Sequence, residues 1–569
     1  MVSVLAPLVL RALALVWLPP PQPRVHDEFS HLLAADTFAH GRLANPQHPF
    51  WVHFESMHIL VRPVYASAFP IGQGAVLAAG QILLGHPWAG VWLSVGLMCG
   101  AICWMLQGWL PPRWALLGAA LAIMRLGVSG YWMNSYWGGA VAAAGGALVA
   151  GALPRIMRQP HWRHAVVMGL GLAILANSRT FEGAVFGLAI GVALLVWMRR
   201  HRVAPRQIVL PLAALLALTV AGMGYCFGRI TGRPWLAPYT LYRNSMTMAP
   251  HFVWQNPRPR PLYNSSELRH FYAGLEMNQY LEARTSFLAG LGDKFLDYWR
   301  FYLGPLLSIP LLALPWLWKD RKARLPLWLG AAFSLSLVGQ VWHNPHYAAP
   351  ATGLIFLIVA MGLRRLGRLA GPWLVPCFLV ACAALLVFHL ATDGRSLPGL
   401  QRAGVLRQLE ALPGNHLVFM RYGVWHDRGD EWVYNGADID QSRVVWAREL
   451  DRASNEKLMR YFAGRHVWLM EPDRPPARPI PYETAPYRPM PFVQLGAPGI
   501  EVLRSPDQVR RAVLAKAQST LYGCDGWSYY FTEATGVESP DVSHGCYTGN
   551  DRSQKVTFDQ WFAWLRRQP

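Results

Sequence analysis

Two adjacent carboxylates, Asp27 and Glu28, stand just beyond the first apolar run of the chain, within the stretch VHDEFSHLLAADTFAHGRLANPQHPFWVHFES at 25–56. Histidines crowd the same stretch: His26, His31, His40, His48 and His53, with His58 just after it. An ionised carboxylate within reach of a reacting proton can serve as a general base. That is one use for Asp27, with Glu28 beside it as a second catalytic carboxylate. The spacing supports another use equally well. An Asp opening a helix is a good N-cap, and Phe29, Leu32 and Leu33 followed by Gly41 fit a helix over about 28–40. His31 lies four residues after Asp27 and shares its helix face. The histidine spacings match no strong zinc signature such as H-E-x-x-H. Hydrogen-bonding histidines are therefore expected and no residue is assigned as a metal ligand, with a divalent metal ion as the alternative use of these groups.

Later runs end in further polar residues. Arg125 lies in the last turns of one, Asn134 in YWMNSYWGG, Arg179 and Glu182 in NSRTFEG, and His343, His346 and Tyr347 in HNPHYAA. Each has a plain account: arginines snorkel, Trp and Tyr form interfacial belts, and Asn-Pro makes turns. What the plain accounts do not require is that all of them fall at the same level, beside the exit of the first run. Together with Glu55 and Arg62 of the first loop they form a candidate substrate-binding set. A base with cations able to neutralise a phosphate suits a reaction on a lipid-linked phosphate.

These residues can meet only if the segments between them cross a membrane. The chain has 569 residues, 53% of them hydrophobic and 15% charged, and a mean hydropathy of +0.19. A soluble protein carries nearer about a quarter charged residues, and about 20 apolar residues span the hydrocarbon core. Spans are expected at 3–18, 88–108, 115–130, 138–153, 165–178, 181–198, 207–228, 301–318, 326–342, 347–363 and 372–391, eleven in all. Residues 1–18 read as an anchor rather than a cleaved signal, because no small-x-small site precedes Pro19. The net charge of +20 sits largely in blocks between runs: Arg155, Arg158 and Arg163; Arg199, Arg200, Arg202 and Arg206; Lys319, Arg321, Lys322 and Arg324; Arg364, Arg365 and Arg368. Such blocks mark cytoplasmic loops. No basic groove interleaved with aromatics is present, so the charge orients the protein in its membrane and nucleic-acid binding is excluded. With the N-terminus inside, the first loop (19–87), the segment 229–300 and the tail from 392 all face outward. The run at 70–85 is short and carries two Gln, as a helix lying in the outer interface would.

The expected architecture is thus a mostly α, polytopic helical bundle at 1–391 with a soluble periplasmic α/β domain at 392–569. In the tail, HLVFM, RVVWA and HVWLM read as strands around a helix near 454–463, and a Pro-rich connector leads to Cys524 and Cys546. Those two cysteines are expected to form a disulfide if the tail is outside the cytoplasm. The other five lie in apolar runs and read as small core residues.

HDEFSHLLAADTFAHGRL resembles the first outer loop of the membrane-embedded GT-C glycosyltransferases, chiefly the bacterial relatives of the protein O-mannosyltransferases and of the lipid A aminoarabinose transferase. The run at 70–85 followed by GHPWAGVWLS is similar to that family's interfacial helix and second span. HNPHYAAPATGLIFLI is similar to its R-Y-L-L-P-A-x-P run, with His346-Tyr347 at Arg-Tyr and Pro350 at the proline. The resemblance implies a multi-pass protein of the bacterial inner membrane that moves a sugar from a polyprenyl-phosphate donor to a lipid, glycan or protein acceptor. It makes Asp27 the base that deprotonates the acceptor, which attacks the anomeric carbon with inversion. Basic residues or a divalent metal would offset the leaving group's charge. This chain departs from the pattern at His346, which stands where the family has Arg. It also has Asn134 where many relatives carry a second acid, leaving Glu55 or Glu182 as substitutes. A transporter or flippase for a lipid-linked saccharide is the alternative. It would place ionisable groups near the midplane, often in paired repeats; here only Arg11 is so placed, and no repeat is visible. An impermeant thiol reagent should reach a cysteine placed in the tail from the periplasmic side only. Labelling from the cytoplasm alone would invert the topology.

Overall fold

The first apolar run is helical over Val2–Leu13 (α1), closes in a 3-10 turn at Ala14–Val16 and stops before three consecutive prolines. This computed structural model describes residues 1–203, 205–393, 399–422, 426–427, 429–473, 477–482, 492–494, 500–502 and 567. Helix resumes at His26–Ala39 (α2) and ends with Gly41 at φ +70°, close to the expected boundaries. The capping is not as expected. Glu28, rather than Asp27, collects the free donors at the helix start: one carboxylate oxygen accepts from the backbone N–H groups of Arg24 (3.0 Å) and Val25 (3.1 Å), and the other from that of Tyr136 (3.0 Å). Asp27 is thereby left for other work.

Helices α3 (Ile71–Leu84), α4 (Pro87–Trp109), α5 (Pro112–Leu126), α6 (Ala140–Arg158), α7 (Trp162–Ala176), α8 (Thr180–His201) and α9 (Arg206–Thr231) follow in order. The segment after α9 holds α10 (Pro238–Met246), α11 (Ser266–Arg269), a π-helical turn at His270–Leu275, α12 (Glu276–Thr285) and α13 (Phe287–Tyr302). The bundle is completed by α14 (Gly304–Ser308), α15 (Leu314–Lys319), α16 (Arg321–Val338), α17 (Thr352–Ala370) and α18 (Leu374–Asp393). Among the described residues six helices are long and apolar enough to cross a membrane, or seven if one bent pair counts as a span. The protein is an integral membrane protein. The other expected spans are helical but shorter or more charged, as with Val2–Val16, Trp162–Ala176 and α16, which opens on Arg321, Lys322 and Arg324. The run at 301–318 is not one straight helix. Gly304 at φ +61° and prolines at 305, 310 and 315 break it into α14, a 3-10 stretch and α15, bent by 97° from α13.

Helix α6 is the hub, because its small residues let neighbours approach closely. It packs on α4, α7, α8 and α17, and on the 3-10 turn Pro345–Ala351 that carries His346 and Tyr347. At Gly146 a Cβ would lie 1.9 Å from the carbonyl oxygen of Pro350.

Beyond the bundle, β3 (His416–Met420), β4 (Val444–Arg448), β5 (His466–Met470) and β6 (Ile480–Pro481) form one sheet in the order β4-β3-β5-β6, once the two-residue pair β1 (Ile59–Leu60) and β2 (Ala66–Ser67) in the first loop is counted. The first three of those strands are parallel, and α19 (Leu400–Ala411) and α20 (Arg452–Tyr461) accompany them. This is the α/β unit expected of the tail, and it is not separate from the first loop. Leu33, Phe54 and Ile59 share one hydrophobic cluster with Leu417, Phe419 and Val445. The predicted Cys524–Cys546 disulfide and most of the Pro-rich connector lie outside the described residues. Replacing Gly146→Ala forces the 345–351 turn off α6 and should cost about 1–3 kcal/mol, read as a lowered melting temperature in detergent.

Candidate functional site

A cavity of about 530 Å³ opens where one end of the bundle meets the first loop and the segment 229–300. On one wall stand His26, Asp27 and His58. The Asp27 Oδ1 lies 3.0 Å from His58 Nδ1 and 3.6 Å from His26 Nδ1, and the two imidazole nitrogens are 3.0 Å apart. His58 reaches this position from a left-handed backbone conformation, φ +60°, which is uncommon outside glycine though His adopts it more often than most side chains. Its N–H donates to the Tyr242 hydroxyl (2.6 Å) and its carbonyl accepts from Ser30 Oγ (2.6 Å). Burial alone would lift the Asp27 carboxyl, but His58 and His26 outweigh it and hold the group well below the usual carboxylate range. Burial likewise opposes charge on His26, and Asp27 overcomes it and raises the His26 pKa. His31, further along the same face, also feels Asp27, but there burial outweighs it and takes the imidazole down to about 4.

These three are the one group among the described residues whose ligand atoms converge closely enough to hold a metal ion. Separations of 3.0–3.6 Å suit ligands at about 2.1 Å from a shared cation. The residues fit a divalent metal.

Two ion pairs face this triad. Arg179 donates to Glu182 at 2.7 Å and lies over the Tyr347 ring at 4.0 Å, while Gln340 donates to the same Glu182 oxygen at 3.4 Å. Beside Tyr347, His346 Nδ1 is 2.9 Å from the Tyr131 hydroxyl. In the second pair Arg243 bonds both carboxylate oxygens of Glu276, at 2.8 and 2.9 Å, and stacks on Trp342. Burial pushes the Glu276 carboxyl up despite that partner, and burial with Arg243 nearby takes His251 down to about 3. Arg258 donates to the Arg243 carbonyl (2.9 Å) and to Thr247 Oγ1 (3.4 Å) at the rim, where it is exposed. The other two lining arginines each have a carboxylate, whereas none is paired with Arg258 among the described residues.

Of the residues expected to act together, Asp27, Arg179, Glu182, His346 and Tyr347 share the cavity. The others do not line it. Glu28 is bound up in capping, and its place beside Asp27 is taken by two imidazoles. The Glu55 side chain accepts from Asn264 (3.0 Å), and Arg62 is exposed over Trp51. Arg125 donates to the carbonyls of Arg300 and Phe301 at the end of α13. Asn134 accepts from Arg11 Nε (3.0 Å), a contact that also accounts for the intramembrane arginine. His343 pairs with Asp297 at 3.1 Å. Sequence reasoning missed Arg243, Glu276, His251 and Arg258. The signal available was an outward-facing segment with charges set among aromatics, but 33 residues separate Arg243 from Glu276 and no local spacing pairs them.

No protein-family model matches the sequence, and no curated protein matches it. Solved structures do. ArnT from Cupriavidus metallidurans bound to undecaprenyl phosphate superposes with a TM-score of 0.52 at 13% identity, over 82% of this chain and 92% of that one. The fold is the GT-C fold. The same ArnT in the apo state gives a TM-score of 0.48 at 15% identity, over 82% and 92% of the two chains. An Archaeoglobus fulgidus oligosaccharyltransferase gives 0.43 at 12%, over 72% and 60%. At such identities the likeness is one of fold, and the chemistry of this chain has to be argued from its own cavity.

The triad makes a pH prediction. A raised His26 pKa contributes stability that is complete below 6.5 and is lost as the pH rises through the folded value. The depressed Asp27 pKa contributes stability present above 3.8 and lost as the pH falls through its folded value. In chelator, the melting temperature should therefore fall as the pH is raised above neutrality, and Asp27→Asn should flatten that slope. An unchanged slope in the variant would mean that another group titrates.

Proposed function

We propose that this protein is an inverting glycosyltransferase that moves a sugar from a polyprenyl-phosphate donor to a lipid, glycan or protein acceptor at the periplasmic face of the bacterial inner membrane. The observation that carries the reading is the cavity itself. An ionised carboxylate and three arginines line one space at one end of the membrane helices, in a fold shared with a protein solved with undecaprenyl phosphate bound.

In this reading Asp27 is the general base. The acceptor oxygen or nitrogen attacks the anomeric carbon, the bond from that carbon to the phosphate oxygen breaks, and polyprenyl phosphate leaves with the electron pair. The acceptor's proton passes to Asp27. A carboxylate held well below its usual pKa is a weak base, so the proton moves late, once bond formation has made the acceptor strongly acidic. Arg258, exposed at the rim and without a carboxylate, is the natural partner for the phosphate. The paired Arg179–Glu182 and Arg243–Glu276 present both donors and acceptors to sugar hydroxyls, and Trp342 and Tyr239 offer aromatic faces. Where a divalent cation is bound, His26, Asp27 and His58 would hold it, and it would supply positive charge against the leaving phosphate.

The test uses purified protein in vesicles with a panel of undecaprenyl-phosphate-linked neutral, amino and acidic sugars, and follows release of undecaprenyl phosphate. Asp27→Asn should lower turnover by about 100-fold or more while binding of undecaprenyl phosphate stays within threefold. Arg258→Gln should do the reverse, weakening binding with a smaller effect on turnover at saturation. Wild-type turnover by the Asp27 variant would remove that residue from the reaction.

A further inference from the structure

The tail packs against the elements that carry the site. Its segment 430–440 runs the length of α2, the helix that carries Asp27. At the start of α2, Asp430 Oδ1 accepts from Arg24 Nε at 3.3 Å. Further along, Asp36 Oδ2 accepts from the Ala437 N–H at 2.7 Å, and beyond the end of α2 Asp438 takes both terminal nitrogens of Arg42 at 3.0 and 2.9 Å. The tail also reaches the turn that presents His58. Arg448, at the end of β4 and 2% exposed in its side chain, donates from Nε to the Glu55 carbonyl at 2.5 Å and from a terminal nitrogen to Glu431 Oε2 at 2.7 Å. The same Glu431 oxygen accepts from Ser56 Oγ at 3.1 Å.

A buried ion pair is a poor source of stability compared with apolar packing, and one use such a pair can have is to fix geometry. Here the two charged groups spend bonds on residues 55 and 56 of the first loop. Two residues later His58 holds a backbone conformation that persists only where its surroundings over-determine it. Ser30 and Tyr242 bond His58 itself, and the Arg448–Glu431 pair bonds Glu55 and Ser56, three and two residues before it.

We propose that Arg448 and Glu431 of the tail are positioning residues for the cavity: they pin the 55–58 turn and so set His58 against Asp27, which makes the soluble domain a working part of the site. The proposal rests on the reading of Asp27 as the general base. It predicts that loosening the pin changes the rate of the chemical step more than it changes donor binding.

The experiment uses the full chain in vesicles with whichever donor of the undecaprenyl-phosphate panel it turns over fastest. Arg448→Met should lower kcat at least tenfold with the donor KM within threefold, and Arg448→Lys, which keeps a charged donor, should recover most of the rate. Arg42→Ala, at the far end of the strap, should leave kcat within twofold. Ser56→Ala removes only the hydroxyl bond to Glu431 and keeps the test decisive where Arg448→Met does not fold. It should lower kcat about threefold to tenfold with an unchanged melting temperature. Wild-type kcat in folded Arg448→Met, or in Ser56→Ala where the first does not fold, would overturn the proposal, as would an equal fall in Arg42→Ala. A wild-type chain that turns over no donor and binds no undecaprenyl phosphate would instead overturn the transfer reading, and this inference with it.

Discussion

A carboxylate charge set among aromatic rings at the edge of a membrane must be paired, and Asp27 is paired by His58 and His26. Much of the outer structure follows from that requirement. His26 is supplied by the same helix start, which places it next to Asp27 without further cost. His58 has to come from another part of the first loop, in a backbone conformation that few side chains adopt. That conformation in turn needs holding from several sides: by Ser30 on α2, by Tyr242 on α10, and by the tail through residues 55 and 56. Helix α2 is freed for this use because Glu28 takes the capping duty at its N-terminus.

The same rule of paired burial governs the other walls. Arg179 and Glu182 stand one helical turn apart at the start of α8, so local geometry is enough to pair them. Arg243 and Glu276 come from α10 and α12 and are paired only because the loop folds back on itself. Neutralised in this way, the cavity can hold several ionised groups in a partly buried space and still leave Arg258 at the rim for an anion.

Much of the bundle could be read directly. The expected apolar runs are helical over most of their length, and among the described residues six or seven helices are long and apolar enough to cross a membrane. The exception at 301–318 was foreshadowed by its glycine and three prolines, which window hydropathy does not register. The tail's strands were legible as short β-rich runs, and its helix as a periodic segment between two of them. The junction of the tail with the first loop was not. Leu33 and Phe54 read as ordinary apolar residues of a loop, and nothing local says that their partners are Leu417 and Phe419, nearly four hundred residues away.

That the chain carries membrane-spanning helices, roughly where they run, and that Asp27 stands in a polar loop just beyond the first apolar run could all be read from the residues alone. Those follow from hydropathy, charge placement and local spacing, which are properties of neighbours in the chain. Tertiary structure decided which polar residues share a space. It took Glu28, Glu55, Arg62, Arg125, Asn134 and His343 into capping, packing and structural contacts, and it brought in Arg243, Glu276 and Arg258 from a segment whose charges had no local partner. It also set His26 and His58, rather than Glu28, around Asp27. The physical reason is that pairing of buried charges is a contact between surfaces, and a contact of that kind leaves no period in the sequence.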